Sequence, residues 1–419
     1  MDSEKDLRPI IAMIFVPGLY ICLFISAALS VIAAGLLISL LYWIFSFIHR
    51  IPVGIMALIA IGGLLGVFYS IRGGWRAIQK AVVRCHAVTI TKEQAPKLFA
   101  MISDLSTKML ASIPNNIVLE LGMNLFVTES KVITFDGEYK SRTLCLSAPM
   151  LHVLMPDELK AIIAHELAHF TGNDTVYSRW FYPIYRGTSS ALIDMANVGA
   201  SGSNNVAWAS LALIIPMRVL RVYLEIFARI ENHIGRQREL RADYFAAKAS
   251  SSTIMASALI KAHVYGALWH QVLEKWIVDA LNEDKVFRNI SEVFASTFLS
   301  EKSLLQEIAQ DSSTHLTHPT DTHPSLRERL NALSENRIED LGIEGETAAS
   351  LFSNLSSLEE KLTEYETSLI AQYHPNVNRE KLEKEAEIDF SQRVLCSDGN
   401  CIGVINEQGV CNTCGKDFG

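Results

Sequence analysis

The sequence predicts a mainly α chain with a small β-sheet, entered through a transmembrane helical hairpin and closed by a small cysteine-bearing ribbon. Three observations carry that prediction. Two long uncharged apolar runs stand at the amino end, helical periodicity with one β-rich stretch fills the middle, and four cysteines crowd into the last two dozen residues.

Residues 10–48 hold no charged side chain, and after His49 and Arg50 a second uncharged run covers 51–71. A bilayer core takes about 20 apolar residues in helix, so the second run supplies one span and the first a tilted span with an interfacial lead-in. Spans are expected at about 18–48 and 51–71, with a break at Pro17-Gly18. A cleaved signal peptide would show an apolar core of roughly 7–15 residues behind a basic start, whereas residues 1–8 carry mixed charge. The segment RGGWRAIQKAVVR that follows holds Arg72, Arg76, Lys80 and Arg84 and no acid. Positive flanks stay in the cytoplasm, so the expectation is a multi-pass protein of the cell (inner) membrane with its bulk on the cytoplasmic side. The spacing of four sets these cations on one helix face, either toward anionic headgroups or simply solvated. The lipid bilayer is thus an expected partner, and with a formal net charge of −8 no nucleic-acid partner is expected. An odd count of seven cysteines in a cytoplasmic setting favours thiols and metal ligation over disulfides.

Four regions are expected: the hairpin over 1–86, a central domain over 87–335, an acidic amphipathic helical region over 336–392 and the ribbon over 393–419. The central domain begins with a helix over 92–109 and a β-rich stretch over 117–146, whose turns fall at Asn115, Asp136 and Gly137. A helix over 156–170 starts on Pro156, a residue suited to a first helical turn, and carries Leu159, Ile162, Ile163 and Leu167 on one face. Residues 176–232 form an apolar and aromatic insertion containing VAWASLALIIPM at 206–217. Twelve residues are too few to span, and Arg218 and Arg221 follow at once, so the insertion reads as a lid or a membrane-dipping segment. A third span is the alternative. Helices continue over 222–249 and 253–268, and a loop covers 312–324. Residues 334–392 carry 14 Asp and Glu against 5 Lys and Arg. Inside them Leu351, Leu355, Leu358, Leu362, Tyr365 and Leu369 alternate steps of four and three, a pattern that fits packing onto the body of the protein or, over more heptads, a coiled coil.

The helix over 156–170 carries AIIAHELAHF. Residues four apart lie one turn apart on one face, so His165 and His169 can grip one metal ion while Glu166 reaches a water beside it. A catalytic zinc site takes three protein ligands and leaves a fourth position open. A third His six residues after the second is ruled out, because Thr175 stands there. A downstream helix with RQRELRADYFAAK offers Glu239, and Asp243 one turn later can hold the free ring nitrogen of a ligand His. Pairing of both acids with Arg236, Arg238 and Arg241 on a solvated face is the plainer reading of that segment taken alone.

As a set these motifs resemble the HtpX-type membrane zinc metalloproteases, which include the CAAX prenyl endopeptidases. The resemblance covers residues 10 to about 335: the hairpin, HELAHFTGND closed by Asp174, an apolar insertion, ELRAD and THPSLRERL. It implies a gluzincin-type domain with zinc on His165, His169 and Glu239 and with Glu166 as catalytic base. It further implies that His323, with Arg329 five residues beyond Pro324, lies near the active site as a transition-state donor. The segment LGMNLFVTES resembles the family's edge strand that pairs with substrate backbone, with Asn124 as a polar contact. The expected substrates are polypeptides, and by the resemblance membrane proteins under quality control.

The carboxy-terminal cysteines Cys396, Cys401, Cys411 and Cys414 have the spacing C-x4-C-x9-C-x2-C, two pairs across a short hairpin. Four thiolates close a structural zinc site, giving an expected total of two zinc ions; a redox pair at Cys411 and Cys414 is the alternative. The ribbon or the acidic helix is a candidate docking point for another protein. Cys22, Cys85 and Cys145 are scattered and read as packing residues. Two rival functions are a silent membrane scaffold and a processing protease for prenylated tails. Against the first, no ligand or base is missing; against the second, few spans are present.

Overall fold

The computed structural model describes residues 8–79, 82–170, 174–200, 204–281, 288–298, 324–334 and 345–373. Two apolar helices come first, α1 (Arg8–Ser46) and α2 (Val53–Ile78). Strands β1 (Val82–Arg84) and β2 (Ala87–Thr89), helix α3 (Pro96–Met109), then β3 (Asn116–Glu120), β4 (Phe126–Thr128), β5 (Lys131–Ile133), β6 (Glu138–Tyr139) and β7 (Thr143–Ser147) form the β-rich part. Helices α4 (Ala148–Val153) and α5 (Pro156–Ala168) follow, then α6 (Asp174–Ala200), α7 (Asn204–Leu211), α8 (Ile214–Ala249), α9 (Ser252–Leu281) and α10 (Ile290–Phe298). Helix α11 (Leu326–Ala332), a 3-10 turn (Ala348–Leu351) and α12 (Leu355–Tyr373) complete the described elements. The chain falls into two compact units, Met1–Lys80 with Gly172–Asn232, and Ala81–Thr171 with His233–Gly419.

In the first unit, Ile14–Ser46 and Val53–Ile78 are, among the described residues, the two helices long and apolar enough to cross a membrane. Their surfaces expose large apolar side chains such as Phe24, Leu36, Trp43, Leu64 and Phe68, which a water-facing surface would not favour. The break expected at Pro17-Gly18 is absent, for α1 runs unbroken through Pro17. The Tyr223 hydroxyl donates to the Phe15 carbonyl at 2.5 Å, and the ring of Tyr223 packs over Gly18, so a side chain from α8 supports the backbone beside the proline. The insertion groups with the hairpin. Helices α2 and α6 meet where Gly73 faces Gly187, close enough for Ala77 to touch Gly187. Arg72 and Arg76 both reach Asp194 of α6, at 3.4 and 3.2 Å, so two of the four cations after the second apolar run have a protein partner. The run 206–217 is divided between α7, a turn and the start of α8.

The second unit is built around a four-stranded sheet of order β2-β3-β7-β4, with β3 parallel to β7 and the outer pairs antiparallel. Strand alternation gives it two faces. Val88, Leu119, Val127, Leu144 and Leu146 join the main core with α3, α4, α5 and α9. Ala87, Val118 and Cys145 face the other way, into a smaller cluster that includes Val132 of the second sheet, whose order is β1-β5-β6. Leu351, Leu355, Leu358 and Leu362 are buried in the main core, so the four-three pattern at the carboxy side packs onto the body. The buried Glu359 carboxylate fixes this packing, at 2.7 Å from both His152 Nε2 and Asn289 Nδ2.

Candidate metal centre

Helix α5 is held in register at its first turn by Glu158. That carboxylate accepts the Met155 N–H at 2.7 Å, the Ser257 hydroxyl at 2.6 Å and the buried Lys261 ammonium at 2.9 Å. Its last turn presents His165, with His169 as the capping residue. Helix α8 brings Glu239 opposite them. The Glu239 carboxylate lies 3.4 Å from His165 Nε2 and 3.5 Å from His169 Nε2, and the two Nε2 atoms are 3.2 Å apart. A tetrahedral zinc ion with bonds of 2.0–2.1 Å sets its ligand atoms roughly 3.3–3.4 Å apart. The two imidazole nitrogens stand near that spacing, and each has one oxygen of the Glu239 carboxylate, Oε2 for His165 and Oε1 for His169, at a similar distance.

Electrostatics agree with a site shaped for a cation. Burial pulls His165 down, but contacts with Asp243 and Glu239 outweigh it and raise the imidazole to about 9. Burial and the neighbouring His165 charge lower His169 to about 3. Metal binding would displace protons from the ring nitrogens that face one another. Beside them Glu166 is raised to about 7, chiefly by burial and further by the Glu239 charge, with His165, the Val127 backbone N–H and Arg329 opposing.

Asp243, fully buried, lies 2.8 Å from His165 Nδ1. Arg329, on α11 behind a helix cap in which Ser325 accepts the Glu328 N–H, donates to Asp243 through Nε at 2.8 Å and Nη2 at 2.6 Å. The same Nη2 is 3.8 Å from Glu239. Of the residues singled out in the sequence, the structure brings together His165, Glu166, His169, Glu239, Asp243 and Arg329. Asn124 is exposed in the turn before β4, the edge strand, whose Val127 N–H reaches Glu166. That backbone contact carries no side-chain signal and was invisible to motif reading. His323, Cys396, Cys401, Cys411 and Cys414 lie outside the described residues, as does most of the loop expected at 312–324. Asp174 opens α6, but its side chain is not among those described.

Two imidazoles, a carboxylate facing them and the Glu166 carboxyl beside them define a metal-dependent hydrolase centre. Comparison with known proteins agrees. Residues 116–337 match peptidase family M48, and the chain belongs to that family, whose members are zinc metallopeptidases. It is 28% identical over 217 residues to a protein named "Protease HtpX homolog" from Paenarthrobacter aurescens, covering 50% of this chain and 67% of that one. A second "Protease HtpX homolog", from Nostoc sp., is 29% identical over 236 residues, covering 55% and 75%. Among solved structures, the "Crystal Structure of S. mikatae Ste24p" aligns with 75% of this chain and 66% of that chain at 16% identity, with a TM-score of 0.32. The family and the two apolar helices make the chain a membrane metalloprotease.

Proposed function

We propose that the chain is a zinc endopeptidase in which His165, His169 and Glu239 hold the metal and Glu166 is the general base. The observation that carries this reading is the convergence of His165, His169 and Glu239, whose ligand atoms all lie within 4.8 Å of one another. When bound, zinc supplies Lewis acidity to the scissile carbonyl and makes water acidic enough to lose a proton near neutral pH. Glu166 takes that proton and returns it to the leaving amine, a role suited to a carboxyl whose burial holds it at about 7. Asp243 orients His165, Arg329 holds Asp243 in place, and Asp174 closes the His motif. His323 stabilises the developing oxyanion.

Substrate enters as an extended polypeptide along β4, the free edge of the four-stranded sheet, adding a strand by backbone hydrogen bonds beside Asn124. Backbone pairing gives little sequence selectivity, which suits removal of damaged membrane proteins better than cleavage of one prenylated tail. The first unit anchors the enzyme: α1 and α2 cross the bilayer, the amino terminus and the peptidase face the cytoplasm, and α6 with the first half of α8 enters the membrane as a second helical pair. Exposed Ile193 on α6 and Ile214, Ile215 and Ile226 on α8 support that last point. Cys396, Cys401, Cys411 and Cys414 bind a second, structural zinc. The test is digestion of casein by the detergent-solubilised chain. Cleavage that stops with a zinc chelator and returns with added zinc supports the proposal; chelator-resistant cleavage, or none by zinc-loaded folded protein, counts against it.

A further inference from the structure

Cys85, Glu120 and Cys145 are far apart in sequence, yet sheet register sets Glu120 and Cys145 on one face, and Cys85, in the link between β1 and β2, joins them there. Ala87 stands opposite Glu120 in the β2–β3 pair, and Cys85 precedes Ala87 by two residues. Val118 stands opposite Cys145 in the β3–β7 pair, and Glu120 follows Val118 by two. Residues two apart on a strand share a face. Just past β1, Cys85 also donates its N–H to the Ile133 carbonyl of β5 at 2.9 Å, which ties it to the second sheet. The two Sγ atoms and a Glu120 carboxylate oxygen all lie within 4.8 Å of one another.

The surroundings make this grouping hard to explain as packing alone. Both thiols are buried, in a cluster with Ala87, Val118 and Val132 and with Phe126 against it. A carboxylate on an apolar face is costly unless a cation or strong donors meet it. Glu120 is half-buried at the end of β3, and the groups that favour its charge are the Cys145 thiol, a weak donor, and His86.

We propose that Cys85, Cys145 and Glu120 form a second metal site in the peptidase unit, for a thiophilic divalent cation of the zinc class. Two thiolates balance the charge of such an ion, and the carboxylate completes three ligands, leaving one coordination position for water or another donor. Bonds to sulfur of about 2.3 Å set ligand atoms roughly 3.8 Å apart, so the donors close in by no more than about 1 Å on loading. Binding releases the two thiol protons to solvent. The ion would cross-link the end of β1, β3 and β7. Cys145 pairs directly with Phe126 of the edge strand β4, one residue from the Val127 N–H that meets Glu166. The site is therefore a staple beneath the strand that flanks the active centre, and it stands independently of the catalytic assignment.

The test uses the full chain with Cys396, Cys401, Cys411 and Cys414 replaced by Ser, loaded with cobalt(II) alone. The His165, His169 and Glu239 site has no sulfur, so a near-ultraviolet thiolate-to-cobalt charge-transfer band reports only on remaining cysteines. The band should be present, survive Cys22→Ser, and vanish in Cys145→Ser. Glu120→Gln, which keeps shape and both thiols, should weaken cobalt binding roughly tenfold or more. Absence of the band in the parent protein, with Cys22, Cys85 and Cys145 shown by alkylation to be reduced, would overturn the proposal. So would recovery of Cys85 and Cys145 as a disulfide, or an unchanged affinity in Glu120→Gln.

Discussion

Arg329 grips Asp243 with both arms of its guanidinium, Nε at 2.8 Å and Nη2 at 2.6 Å, and the same Asp243 lies 2.8 Å from Nδ1 of His165. A chain of three side chains thus runs from α11 to the rim of the metal centre. Arg329→Ala strands a fully buried carboxylate, which should cost about 3–5 kcal/mol of stability. Loss of an orienting partner should also weaken zinc binding by about 10–100-fold. Arg329→Lys should not rescue either, because an ammonium cannot fork across two oxygens. Thermal melts and competition with a zinc chelator measure the two effects.

Glu239→Ala removes one of three donors spaced for a single ion. Metal content at limiting free zinc should fall well below one ion at this centre, while the helices keep their circular dichroism. Undiminished zinc would move the third ligand elsewhere, with Asp174 and Asp243 next to test.

Lys261 is 1% exposed and bonds Glu158, the residue that caps α5. Lys261→Met should destabilise by about 3–5 kcal/mol, because it leaves that carboxylate buried without its cation. The double variant Lys261→Met with Glu158→Gln should recover much of the loss. A melt series that finds the single and double variants equally unstable would contradict this.

In the apolar unit, a side chain grown at Gly73 would come within 2.8 Å of the Gly187 carbonyl and 2.9 Å of Ala191, whereas one at Gly35 meets nothing within 4 Å. Gly73→Leu should therefore cost about 1–3 kcal/mol in detergent. Gly35→Ala is the neutral control, and equal melting of both would deny the close contact of α2 with α6.

What was legible in the sequence followed from local spacing. His165 with His169, and Glu239 with Asp243, are each one helical turn apart, so each pair could be read without knowing the fold, and metal chemistry demanded that the pairs meet. The four-three pattern of Leu351, Leu355, Leu358 and Leu362 likewise announced a buried face. Pro17 was misread because proline usually breaks helices in water, while in an apolar bundle a neighbour such as Tyr223 supports the backbone. Cys85 and Cys145 looked scattered because their meeting depends on the pairings of β3 with β2 and with β7 and on both registers. No periodicity within any of these strands encodes those registers.

The central claim is that Glu166 acts on water and does not hold the metal. Glu166→Gln, purified in parallel with the parent chain, should carry the same zinc content and melt at a similar temperature. Its casein cleavage should fall by about 100-fold or more, the loss expected when a positioned general base is removed. Full turnover in that variant, or loss of zinc with the substitution, would contradict the assignment.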